Sequence, residues 1–167
     1  QFQLKLFEEI ESSGKDLNLK FYGSRALMSL RLEKNWGAWT LDFRPDFTAA
    51  ESGLDIFINW NKDFVGKEAS LNEKKQGIKK KLVTMIIDTK DIDVTNDEAI
   101  LKNDKCIGYI TSGGYAHNIK KSMALGYVPI EYSKHETSLD VEINGKLYKA
   151  HVIDRPLYDA NGGKMKS

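Results

Sequence analysis

The second half of the chain carries six short apolar runs parted by turn-forming residues, and this texture constrains the fold more than any other feature. After Gly77 the runs are Leu82–Ile87, Ala99–Leu101, Cys106–Ile110, Met123–Ile130, Leu139–Ile143 and Leu147–Ile153. Short apolar stretches in close succession read as strands, and six of them predict a small barrel or sandwich. Asn103-Asp104 and Asn144-Gly145 sit where tight hairpin turns belong. Gly113-Gly114 is expected to form a further turn, between a strand ending at Thr111 and one that closes near Pro129, because glycine takes φ > 0 readily.

The first seventy or so residues have a different texture. Leu6, Phe7 and Ile10 recur at helical spacing between Leu4 and Ser13, with Glu8, Glu9 and Glu11 on other faces and Gly14 as a stop, so a surface helix is predicted. Leu17–Tyr22 alternates like a half-buried strand, whereas Arg25–Lys34 is compatible with helix or strand. Trp36–Trp39 and Arg44–Asp46 read as loop. Thr48 and Glu51 have the spacing of a capping box for a short helix that Gly53 interrupts. Leu54–Trp60 alternates again, and Asp63–Ala69 leads into a polar connector helix that runs to about Gly77. A boundary between Leu71 and Lys80 divides the chain into residues 1–72 and 73–167. The fold class expected is α+β, with an antiparallel barrel following a mixed segment.

Composition removes several functions. The 167 residues suffice for one ordinary domain or two small ones, and 41% apolar content can fill a core. Twenty-five Lys and Arg against 24 Asp and Glu leave a formal charge of +1, so no global field favours nucleic acid or an anionic membrane. The single cysteine, Cys106, excludes an internal disulfide and a multi-cysteine metal site, which suits a reduced, intracellular compartment. No apolar run reaches the roughly 20 residues of a spanning helix, and no basic-then-apolar leader opens the chain. The chain begins at Gln1 inside an amphipathic pattern, which suggests a piece cut from the C-terminal part of something longer.

Chemistry-bearing residues each have a plain alternative. Lys74, Lys75, Lys79, Lys80 and Lys81 could meet phosphate, but no aromatic residues interleave to stack bases, and a solvated face is the stronger reading. His117, His135 and His151 lack paired spacing, so no metal is expected. Gly113-Gly114 leads towards another strand and not into a helix N-terminus, unlike a phosphate cradle. Trp36, Trp39 and Trp60 beside polar neighbours suit a planar heterocycle, with core burial as the competing reading. Arg25, Arg31 and Glu33 could hold a carboxylate or a pterin edge, or form a structural ion pair.

Five ordered segments carry a family resemblance: Ser29–Lys34, Ala49–Leu54, Asp63–Ala69, Ile110–Tyr115 and Ala124–Pro129. Together they resemble the glycine-cleavage T-protein (aminomethyltransferase) family. The Gly-Gly-Tyr-x-His form of the middle segment, with Arg31-Leu32-Glu33-Lys34 and Pro156-Leu157-Tyr158-Asp159, is most similar to the C-terminal region of dimethylglycine and sarcosine dehydrogenases.

The resemblance implies a folate-binding one-carbon module. Residues 1–72 are then the last part of the folate-binding aminomethyltransferase domain, and 73–167 its C-terminal barrel. Tetrahydrofolate is the implied cofactor, with FAD confined to an N-terminal flavin domain of the two-module relatives, outside this sequence. By the resemblance, Trp36 stands where T-proteins place a folate-contacting tyrosine, and Trp60 is near the place where some T-proteins put a folate-contacting tryptophan. The family's folate-binding arginine aligns with Leu27. Arg25 can substitute only where the local backbone differs, because positions two apart on a helix face different ways. The implied partners are folate, a small N-methyl amine in the intact protein and an upstream flavin domain, with no nucleic acid and no membrane. The compartment expected is the cytoplasm, or the mitochondrial matrix in a eukaryote. The family's acidic residue that assists one-carbon transfer lies upstream of Gln1, so the isolated chain is not expected to turn over. A related branch demethylates a sulfonium compound, and a noncatalytic folate-binding or protein-docking module is the alternative from a different class.

Overall fold

The computed structural model of the protein describes residues 2–166. Its strands are β1 (Lys80–Ile87), β2 (Ala99–Lys102), β3 (Lys105–Ala116), β4 (Lys121–Pro129), β5 (Ser138–Ile143) and β6 (Lys146–Ile153). They close into an antiparallel barrel in the order β1-β4-β3-β2-β5-β6, and β6 returns to pair with β1 from Thr84↔Ile153 to Ile87↔Ala150. Closure leaves the sheet no free edge.

Alternate residues fill the barrel, as the period-two geometry of a strand requires. Val83, Met85 and Ile87 come from β1, Leu139, Val141 and Ile143 from β5, and Ala150 and Val152 from β6. In β4 the alternation disappears, because Ser122 through Val128 are all buried. Ala124 and Val128 join the barrel core, while Tyr127 stacks on Phe47 of the N-terminal half with ring centroids 3.4 Å apart. A strand covered on both faces reads as a continuous apolar run, which is how Met123–Ile130 looks in the sequence.

Turn chemistry decides two of the reversals. Asn103 and Asp104 (φ 51° and 61°) join β2 to β3, and Asn144 and Gly145 (φ 50° and 74°) join β5 to β6. Positive φ at both central positions gives the turn whose twist matches the flanking strands. Gly113 and Gly114, expected to turn, instead lie inside β3 opposite Ala124 and Met123, and the chain reverses at residues 117–120. Packing explains the glycine at 113: a Cβ there would stand 2.7 Å from the Cγ1 and from the carbonyl oxygen of Val94.

The N-terminal half supplies helices α1 (Gln3–Gly14), α2 (Ser24–Glu33) and α3 (Lys67–Gln76), and α4 (Gly163–Lys166) ends the described chain. Arg25–Lys34 thus resolves as helix. Leu17–Tyr22 forms no strand: a 3-10 turn spans Lys15–Leu17, Asn18 is left-handed at φ 55°, and Phe21 folds back to stack on Phe7 with centroids 4.9 Å apart. Leu54–Trp60 likewise becomes a 3-10 turn over Asp55–Phe57 followed by loop. The Thr48–Glu51 capping box does form, each backbone N–H donating to the other's side chain at 3.2 Å, but it opens a series of turns ending at Gly53 and not an α-helix. The connector helix α3 lies between Gly66 and Gly77, both at positive φ, and buries none of its residues.

Candidate functional site

The end of α2 sets the geometry of the candidate site. Asn35 takes the left-handed conformation at φ 52°; its N–H donates to the Leu32 carbonyl at 3.0 Å, and the Trp36 N–H donates to the Arg31 carbonyl at 2.9 Å. This is a Schellman ending with asparagine in the position usually held by glycine. The backbone of Trp36 is therefore fixed by the helix it follows.

Three charged residues of the same stretch tie three other segments to it. Glu33 is fully buried and accepts from the Asn118 N–H at 2.7 Å and from Asn118 Nδ2 at 2.5 Å, which anchors the β3–β4 turn. Lys34 donates to the Asp159 carbonyl at 2.6 Å and holds the C-terminal segment. Arg31 donates through Nη1 to Asp42 at 2.5 Å and to the Trp36 carbonyl at 3.2 Å. Arg31 and Glu33, weighed above as ligand contacts or a structural ion pair, are thus taken up inside the protein, with Asp42 and not Glu33 as the partner of Arg31.

Asp42 is the centre of this network and the residue that sequence reasoning missed. Its side chain is fully buried. Oδ2 accepts from Arg31 Nη1 and from the Ala38 N–H at 2.7 Å, and Oδ1 accepts from Thr111 Oγ1 at 2.5 Å and Ser112 Oγ at 2.6 Å. A carboxylate offers about four acceptor sites, and all are used. A charge this deep is tolerable only when paired and hydrogen-bonded. Successive strand residues normally face opposite sides. Here Thr111 is the extra residue between the pairs Ile110↔Gly126 and Ser112↔Leu125, and the resulting bulge turns both hydroxyls towards one oxygen. The adjacent hydroxyls of Thr111-Ser112 were the available signal.

Tyr127 completes the join. Its hydroxyl donates to the Asp42 carbonyl at 3.0 Å and lies 2.7 Å from Ser52 Oγ. Burial pushes the phenol up from 10.0 to about 12; the Ser52 hydrogen bond opposes the rise and the Asp42 charge adds to it. The folded state therefore holds this proton more tightly than the unfolded chain does. That contribution to stability is intact below pH 10.0 and is lost as the pH climbs towards about 12. Ultraviolet titration should show one phenol ionising near pH 12 and missing from Tyr127→Phe; simultaneous ionisation of all tyrosines near their ordinary value would refute it.

The tryptophans do not fill the core. Trp36 is 55% exposed and Trp39 76% exposed, because the Schellman turn carries the chain outward from α2. Trp36 meets Phe57 edge-on at 6.3 Å and, with Asn35, Ser52 and Leu125, lines a cavity of about 270 Å³. Trp60 has the Lys74 ammonium 4.9 Å from its ring and, with Ala50, Ile58 and Glu73, lines a second cavity of about 430 Å³. Gly53 and Lys81 border both cavities. The fold thus brings Trp36 and Trp60 to neighbouring spaces and not to a common one. Arg25 lines neither cavity and is exposed on the first turn of α2, which is helical through both 25 and 27. The two positions are about 200° apart around the axis.

His135 lies against Glu136 and Asp154, while His117 meets Tyr115 edge-on. Among the described residues no three His, Cys, Asp or Glu are placed to hold a metal ion, and no helix is long and apolar enough to cross a membrane.

The chain is similar in sequence and fold to known proteins. Residues 1–62 match the GCVT N-terminal domain, and residues 80–159 match the glycine cleavage T-protein C-terminal barrel domain. The chain is 40% identical over 154 residues to the mitochondrial dimethylglycine dehydrogenase of Rattus norvegicus, covering 91% of this chain and 18% of that protein. It is 34% identical over 159 residues to an aminomethyltransferase of Desulfitobacterium hafniense, covering 95% of this chain and 43% of that one. The crystal structure of glycine cleavage system aminomethyltransferase T from Bartonella henselae superposes with a TM-score of 0.82 at 26% identity, over 95% of this chain and 44% of that one. The chain therefore spans less than half the length of these relatives. Sequence matches to both domains in their proper order and a closed barrel on the same plan agree, and the chain belongs to the glycine cleavage T-protein family.

Proposed function

We propose that the chain is the C-terminal part of a tetrahydrofolate-dependent enzyme, an aminomethyltransferase or a demethylating dehydrogenase of the dimethylglycine and sarcosine type. Residues 1–72 close its folate-binding domain and 73–167 form the barrel domain. The intact protein handles one-carbon units from N-methylated glycines, with FAD and the oxidation assigned to an upstream flavin domain. Its compartment is the cytoplasm, or the mitochondrial matrix in a eukaryote.

One observation carries the reading. The exposed Trp36 ring and Phe57 wall a cavity that Asn35 also borders, and Asn35 Oδ1 is buried without a hydrogen-bond partner. Flat aromatic walls with a free acceptor at the margin suit a planar, amino-bearing heterocycle. At about 270 Å³ the space holds one end of such a ligand, so the remainder extends beyond it. Bound tetrahydrofolate supplies the nitrogen that takes up the one-carbon unit. This chain's own contribution is to hold the ring system still, and proximity accounts for much of the rate in such transfers. Trp60 is assigned to an outer part of the ligand through the adjoining cavity, whereas Arg25, on a helix that is regular through 25 and 27 and bordering neither cavity, is not placed to stand in for the family's arginine.

Titration calorimetry of tetrahydrofolate into the full-length gene product tests the reading. Trp36→Ala is expected to weaken binding by about 1 kcal/mol or more through loss of the aromatic wall. Absence of binding by the full-length protein would remove the folate assignment and leave a protein-docking module as the reading.

A further inference from the structure

We infer that Asp42 is a positioning residue for Trp36, acting through Arg31. The inference rests on the reading that the Trp36 wall receives the ligand, and it adds how that wall is held. Trp36 belongs to an exposed loop, and exposed loops are ordinarily mobile. Two hydrogen bonds restrain its backbone, and both come from Arg31: the Trp36 N–H donates to the Arg31 carbonyl at 2.9 Å, and Arg31 Nη1 donates to the Trp36 carbonyl at 3.2 Å. The same Nη1 is held at 2.5 Å by Asp42. Asp42 in turn is bound to Thr111 and Ser112 of the barrel, and its Oδ2 takes the Ala38 N–H two residues beyond Trp36. A continuous chain of short contacts therefore runs from a rigid strand to the loop that carries the ring. The two barrel hydroxyls, the guanidinium and the Ala38 N–H meet at this carboxylate.

Asp42→Asn is the informative change, because the amide keeps the shape. Its oxygen can still accept from Arg31 and Ala38, its NH2 can donate to the Thr111 and Ser112 hydroxyls, and Thr111 already has the Leu125 carbonyl as a second acceptor at 3.2 Å. What is lost is the charge that orients the guanidinium. A gentler variant, Thr111→Val with Ser112→Ala, leaves the Arg31–Asp42 pair intact and removes only its attachment to the barrel.

The experiment is a double-mutant cycle in the full-length protein, with tetrahydrofolate affinity as the first readout. Asp42→Asn is expected to weaken binding about tenfold when Trp36 is present and less than about twofold in Trp36→Ala, since an effect transmitted through the ring disappears with it. The second readout needs no ligand. In protein labelled with 5-fluorotryptophan, the fluorine resonance missing from Trp36→Phe belongs to Trp36, and it should broaden or split in Asp42→Asn and in the hydroxyl variant while the Trp60 resonance stays in place. Equal losses of affinity in both backgrounds, or an unchanged Trp36 resonance, would overturn the positioning role. Perturbed resonance in a full-length protein that binds no folate would uphold the positioning and refute the folate reading instead.

Discussion

Asp42→Ala is expected to destabilise the protein by about 3–5 kcal/mol, the range seen when one partner of a buried ion pair is removed. The substitution strips acceptors from four donors at once: Arg31 Nη1, the Ala38 N–H and the hydroxyls of Thr111 and Ser112. Arg31 suffers most, because its charge stays buried and its Nε already has no partner. Thr111 suffers least, since its hydroxyl retains the Leu125 carbonyl. Thr111→Val alone leaves Oδ1 its bond from Ser112 and should cost about 1.5–3 kcal/mol, the range for one hydrogen bond to a charged group. Urea unfolding of both variants against the parent protein separates these terms. A loss below about 1 kcal/mol for Asp42→Ala would mean that water reaches the guanidinium and that the join does not depend on the pair.

Gly108→Ala is expected to be comparably damaging, at about 3 kcal/mol or more, at or beyond the upper end for forcing extra volume into a packed interior. A Cβ at this position would lie 1.9 Å from the Tyr127 carbonyl oxygen. The obstacle is backbone, and that backbone is fixed by the Tyr109↔Tyr127 pairing of β3 with β4. No rotamer change relieves the contact, so the two strands must separate. Gly163→Ala is the control, because its Cβ would meet nothing closer than Asp159 Oδ1 at 3.6 Å. Thermal unfolding should place the control with the parent and Gly108→Ala far below both; parity between the two alanine variants would show that the ladder yields locally.

The parts of the fold that could be read from the sequence are those decided within a few residues. Asn103-Asp104 and Asn144-Gly145 announce hairpins because the left-handed backbone they favour is itself the turn. The apolar runs announce strands because each needs only its own period and its ends. Leu17–Tyr22 and Leu54–Trp60 share that alternation but have no ladder to join, so their apolar side chains settle into turns and ring contacts. Gly113 was misleading for a non-local reason: its missing side chain makes room for Val94, not for a turn.

The candidate site follows the same division. The resemblance pointed to Trp36 and Trp60 individually, whereas only the fold shows that they border adjoining cavities. Asp42 was invisible because its hydroxyl partners are 69 and 70 residues away and reach it only through a pairing irregularity that sequence periodicity does not encode. The ambiguity over Arg31 and Glu33 resolved towards structure for a related reason: both are buried, and each finds a partner on a segment far along the chain or across a loop.

The extra residue in β3 sets the interests of the barrel against those of the molecule. Deleting Thr111 would let Ile110↔Gly126 and the following Ser112↔Leu125 pair run on without interruption, giving a smoother ladder. The same deletion would take away one hydroxyl that grips Asp42 and let the next swing clear of it. An engineer who optimised the barrel by itself would thus be rewarded for discarding one of the residues that fasten the N-terminal half to it.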